Sequence, residues 1–225
     1  MLFRSAVVDT LAQNLRERYV FPDKAEKLAA RLQGRAKAGA YESAKTVKAF
    51  GDALGKDLRE FGDDGHFRVE FDPEFNPAME DESHVPTPEE AAQQRAEVAQ
   101  LAYGINRTQR LPGNIGYLDL RGFGPTEVVG PAYDAAITLL SGTDALVLDL
   151  RSNGGGIPES VSYLLSHFFA EGDRRHLNDI YDRPTNKTRQ YWTTSHVPVR
   201  YLKPITVLTS KFTFSGGEEC AYDLQ

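Results

Sequence analysis

The chain has 225 residues, 40% of them hydrophobic and 26% charged, and a formal net charge of -6. That length suffices for one large domain or a small one joined to a larger, and the absence of any run of about 18 apolar residues excludes a membrane-spanning helix. The basic first 50 residues lack aromatic interleaving, so no nucleic-acid partner is expected, and the single cysteine, Cys220, excludes an internal disulfide.

Residues 1–62 read as three amphipathic helices. Val8, Leu11, Leu15 and Tyr19 recur at helical spacing, then Ala25, Leu28, Ala29 and Leu32, then Val47, Phe50, Leu54, Leu58 and Phe61. After the turn at Gly62, Asp63, Asp64 and Gly65 the period changes to two: Phe67, Val69 and Phe71 alternate with His66, Arg68 and Glu70, which predicts a strand. Residues 72–86 are rich in Pro, Asp and Glu and read as a solvated connection. Thr87 and Glu90 form a capping box with Pro88 at the first helical position, predicting a helix to about Ala102. From 114 onward strands and helices alternate: strand 115–120, helix 131–140, a buried strand 145–150, helix 160–169, a hairpin from 180–182 and 189–192, and a buried strand 205–208. The expected domains are a helical domain over 1–62, a connection over 63–112, and an α/β core over 113–225.

Three stretches bear on chemistry. In LVLDLRSNGGGIPESV, at 146–161, a buried strand ends in Asn153 and three glycines before Pro158 opens a helix. A bare backbone loop in that position is a plain tight turn or presents N–H donors to an oxyanion; neither glycine-rich nucleotide motif is matched. Ser215 follows a strand and precedes Gly216, Gly217, Glu218 and Glu219. It fits both an N-cap with Glu218 three residues on and a nucleophile at a strand-to-helix turn, although the residue at 213 is Thr, so G-x-S-x-G is not met. His66 is the better candidate base, lying opposite the apolar face of its segment; Lys211 reads as a surface residue, and Cys220 as a small buried one. His84, His167, His176 and His196 have no partner pattern. No metal-ligand spacing occurs, and no cofactor is expected.

DGHF at 64–67, LPGNIGYLDLRGF at 111–123, ALVLDLRSNGGG at 145–156 and VLTSKFTFSGGEECAYDLQ at 207–225 together resemble the C-terminal (tail-specific) processing peptidases, the tricorn-core family of serine peptidases. The stretch from Phe71 to Gly113 is too short for a PDZ domain, which needs roughly 80 to 100 residues. The chain is therefore similar to the branch that includes the repeats of interphotoreceptor retinoid-binding protein. The resemblance implies an α/β core of the crotonase/ClpP-like type behind an N-terminal helical bundle, a peptide or protein substrate, Ser215 as nucleophile, His66 as general base, and the N–H groups of Gly155 and Gly216 as the oxyanion hole. It also implies a third catalytic residue, a glutamate beyond Gln225, so the core is expected to be cut short at its C-terminus. Little activity and association with a second chain are expected of such a piece. Family habit implies a periplasmic or secreted location, although 1–10 is too polar for a signal peptide. A noncatalytic binder of retinoids, fatty acids or other hydrophobic ligands, and a peptide-binding module, are the alternatives.

Overall fold

The computed structural model describes residues 2–73 and 86–225. The acidic connection read over 72–86 falls almost wholly outside these, as does His84. The chain is a mixed α/β protein with helices first and a sheet core after them, and it divides into two compact units: Met1–His84 with Ile180–Arg189, and Val85–Asp179 with Gln190–Gln225.

The first unit is built on α1 (Leu2–Arg18), α2 (Pro22–Lys37) and α3 (Val47–Gly62). Pro22 opens α2 with its fixed φ. Thr46 caps α3 by accepting the Ala49 N–H, and Asp63 ends it in the left-handed region at φ 48°. Most of the stripes read from the sequence are buried: Val8, Leu15, Leu28, Leu32, Phe50, Leu54 and Leu58 share one apolar cluster, closed by Tyr41 and Ala44, with Leu11, Tyr19 and Phe61 partly buried against it, while Val47, the first residue of α3, is exposed.

The strand expected from Phe67 to Phe71 is not one. The segment keeps its alternation as far as Glu70, with Phe67 and Val69 half-buried and Arg68 and Glu70 exposed, but Phe71 is exposed too, and the segment pairs with no strand among the described residues. It lies instead on a face of α3 that Gly51, Gly55 and Gly62 leave bare. A Cβ on Gly55 would stand 3.5 Å from the Val69 nitrogen and one on Gly62 2.8 Å from the Phe67 ring. The period of two thus reports a chain lying flat on a helix.

In the second unit, α4 (Pro88–Gln100) starts at the predicted capping box, with Thr87 and Glu90 bonded reciprocally. The sheet runs in the order β1 (Ile105–Leu111), β2 (Ile115–Leu120), β3 (Ala145–Asp149), β6 (Ile205–Leu208); β1 is antiparallel and the others are parallel. Helix α5 (Thr126–Leu140) lies between β2 and β3 in the chain, α6 (Pro158–Ser166) follows β3, and α7 (Gly216–Asp223) follows β6. A hairpin of β4 (His176–Asp182) and β5 (Lys187–Trp192) stands between α6 and β6 in sequence. Leu118, Leu120, Leu146, Leu148 and Leu150 from the strands pack with Val129, Tyr133, Ile137, Val161, Leu164 and Leu165 from α5 and α6. Helix α5 begins five residues before Pro131, the first residue of the predicted helix. Within the second turn, proline loses only one backbone bond, and Val129, Tyr133 and Ile137 bury enough apolar surface to hold the preceding turn in the helix.

Candidate active site

Strands β3 and β6 are parallel neighbours, with Asp149 opposite Leu208 and the Leu150 N–H donating to the Leu208 carbonyl at 2.8 Å. Both loops at their carboxyl ends therefore emerge side by side, where open α/β sheets hold their ligands. One is the glycine loop after β3; the other carries Ser215.

Hydrogen bonds tie the two loops together. The Thr213 hydroxyl donates to the Leu150 carbonyl at 2.8 Å, and the Phe214 N–H to the Asn153 carbonyl at 3.0 Å. On its other side the glycine loop is held by the end of β2: Gly154 N–H donates to the Arg121 carbonyl and Phe123 N–H to the Gly155 carbonyl. Asn153 is the hub. Fully buried, its Nδ2 donates to the Leu120 carbonyl at 3.0 Å while Oδ1 accepts the Gly155 N–H at 2.8 Å.

Ser215 has φ 52° and ψ −122°, a conformation that L-residues with a Cβ avoid. It stands at the N-terminus of α7 as the sharp strand-to-helix turn of a nucleophile elbow does. The predicted capping arrangement joins Ser215 and Glu218: the Glu218 carboxylate accepts the Ser215 N–H at 3.0 Å, and the Glu218 N–H goes to the Ser215 main-chain carbonyl at 2.8 Å.

Gly155 makes the close approach that lets this turn exist. At φ 86°, a Cβ on it would stand 2.7 Å from the Phe214 carbonyl oxygen, 2.8 Å from Ser215 Cβ and 2.9 Å from the Gly216 nitrogen. The expectation that its N–H is a donor to an oxyanion is not met by this geometry, because that N–H is already given to Asn153 Oδ1. Among the described residues, the N–H groups of Gly216 and Gly156 have no acceptor. The Gly156 nitrogen is 3.4 Å from where a Cβ on Gly216 would stand.

His66 belongs to the helical unit, in the turn that leaves α3. Asp64 Oδ1 accepts both the His66 main-chain N–H at 2.9 Å and its ring Nδ1–H at 2.8 Å. Asp64 Oδ2 accepts the Tyr19 hydroxyl at 2.9 Å. Burial works to raise the Asp64 pKa, but the hydrogen bonds from His66 and Tyr19 outweigh it and hold the carboxyl below its usual range. The Tyr19 phenol is pushed up to about 12 by burial and by Asp64, so it stays a donor.

Lys211 is exposed, its ammonium near the Phe212 ring, and Cys220 is fully buried, as read from the sequence. His167 is buried with Nδ1 on the Val199 carbonyl at 2.7 Å, and His176 and His196 bond to near neighbours, Asp179 and Thr194. Sequence reasoning missed Asn153 and Asp64 as the residues that shape the site. An asparagine ahead of a glycine run and an aspartate two before a histidine both carry the signal of side chains that bond their own backbone two residues on.

Residues 114–225 match the model of peptidase family S41, and residues 3–108 match the model described as the N-terminal domain of Peptidase_S41 in eukaryotic IRBP. Among solved structures, the fold is similar to that of a candidate peptidase from Parabacteroides merdae ATCC 43184, at 17% identity and a TM-score of 0.57 over 99% of this chain and 71% of that one. It is also similar to a lipoprotein from Streptococcus agalactiae, at 14% identity and a TM-score of 0.52 over 99% and 72%. At these identities the likeness is one of fold.

Proposed function

The chain belongs to peptidase family S41, and from that premise we propose that it is a serine endopeptidase of the tail-specific processing type that cleaves by acyl transfer. Ser215 Oγ attacks the scissile carbonyl while the unprotonated nitrogen of His66 takes its proton. The tetrahedral oxyanion is held by the N–H of Gly216, at the positive end of α7, and by that of Gly156 in place of Gly155. His66 then gives its proton to the leaving amine, and water repeats the sequence on the acyl-serine.

The observation that carries this reading is the Ser215 backbone. A positive φ on a serine costs of order 1–3 kcal/mol, and a glycine at 215 would cap α7 without that strain. A noncatalytic binder of hydrophobic ligands has no use for a strained serine at this turn.

The test is covalent labelling of the full-length protein with a fluorophosphonate probe, comparing wild type with Ser215→Ala. Labelling of wild type alone is the expected result. Equal, background labelling of both, together with tight binding of a fatty acid, would transfer the protein to the binder class.

A further inference from the structure

We propose that Asp64, itself held by Tyr19, is the carboxylate that positions His66, completing a Tyr–Asp–His relay inside the helical unit. The inference rests on the reading of His66 as the base.

The argument starts from the turn. Asp63 ends α3 in the left-handed region, and Asp64 follows it in the turn. Asp64 Oδ1 then receives two donors of one residue, the N–H and the ring Nδ1–H of His66, at 2.9 and 2.8 Å. An ionised carboxylate only accepts, so Nδ1 must carry the ring proton and the lone pair of the neutral imidazole stands on Nε2. That is the tautomer a general base needs.

A carboxylate orients a ring only if it is itself fixed. The Tyr19 hydroxyl fixes the second oxygen at 2.9 Å, and Tyr19 is in turn packed against Phe67 with ring centroids 5.1 Å apart and against Phe21 at 5.8 Å. Its main-chain carbonyl accepts from Arg183 Nη1 at 2.7 Å. The exposures are graded in the same sense: the Asp64 side chain is 23% exposed and that of His66 60%. The carboxylate is sheltered and the imidazole presented. Asp64, its carboxyl held below the usual range, stays ionised at neutral pH, and the Tyr19 phenol, pushed up to about 12, stays a donor to it.

An aspartate that only closed the turn would need its bond to the main-chain N–H and nothing at the ring. Nitrogen-15 spectra of the histidine rings separate the two roles without any activity measurement. In wild type the neutral His66 ring is expected as the Nδ1–H tautomer, and in Asp64→Ala it reverts largely to Nε2–H. Asp64→Asn keeps an acceptor for the turn, so it guards against a variant that merely misfolds: it retains the fold and loses the charge that stabilises the imidazolium. In a peptidase assay both variants lower kcat by roughly 10²–10⁴-fold with KM little changed, and Asp64→Ala added to His66→Ala costs nothing further. An unchanged tautomer in Asp64→Ala, or additive losses in the double variant, overturns the proposal. If wild type has no Ser215-dependent activity, the peptidase reading fails while the tautomer measurement still decides the role of Asp64.

Discussion

Ser215 and Gly155 are two halves of one local solution. The serine takes a backbone conformation that its Cβ resists, and the glycine opposite has no Cβ because the serine turn occupies that space. Gly155→Ala should therefore cost about 3 kcal/mol, from a left-handed φ and from overlap at 2.7–2.9 Å, and should abolish probe labelling by displacing Ser215. Gly154→Ala is the control: an added Cβ there meets nothing within 4 Å, so the midpoint in a urea titration should stay within error of wild type. From the sequence, Ser215 could be read as cap or nucleophile but not told apart, because both need the same small residues before a helix. Only the torsion angles separate them. The share of Gly155 and Gly156 in the loop was equally illegible, since three adjacent glycines look alike until one N–H is seen to be taken by Asn153.

Elements were legible where one face is apolar and illegible where packing overrides pattern. Helices α1 to α3 follow their apolar stripes and α4 follows its capping box. Strand β1, INRTQRL, was missed because an edge strand with four exposed residues carries no apolar alternation. Helix α3 shows how an element acquires polar glue: Asp57, 4% exposed, accepts from Arg35 Nε at 2.6 Å and from the Tyr41 hydroxyl at 2.7 Å. Asp57→Ala should destabilise the helical unit by about 2 kcal/mol, read by chemical denaturation, because it strands a buried phenol. Helix α7 makes a pH-dependent contribution. Burial, then the charges of Asp223 and Glu159, push Glu219 up to about 7; burial pushes Asp223 up to about 6 against the pull of His176. Among the described residues, Glu219 Oε1 and Asp223 Oδ2 have no hydrogen-bond partner. Groups whose folded pKa is raised favour the fold below their unfolded values, 4.5 and 3.8, and that contribution is lost as pH rises through about 6 to 7. The thermal midpoint should fall between pH 5 and pH 8, and Glu219→Gln should flatten the decline; a midpoint rising over that interval would refute the assignment.

At the scale of the molecule, two apolar clusters serve two units, one from α1, α2 and α3 and the other from the sheet with α5 and α6. Much of the first cluster could be read from helical periodicity, but not what brings distant segments together. The glycine loop meets Ser215 because β3 and β6 pair in parallel, and strand order is a property of the whole sheet. Cys220 offers a probe of that sheet unit. It is fully buried within the core cluster, and burial, followed by the charges of Asp223 and Glu219, drives its thiol pKa far upward, so a thiol reagent reaches it only when the unit opens. Leu148, fully buried in β3, belongs to the same cluster. Leu148→Ala removes about 2–5 kcal/mol of stability, which under fast reclosing raises the population of the open form and hence the labelling rate by roughly 30- to 4,000-fold. If labelling of Cys220 is instead fast in wild type and indifferent to Leu148→Ala, α7 opens by itself, and the Ser215 turn it caps is held by the two loops alone.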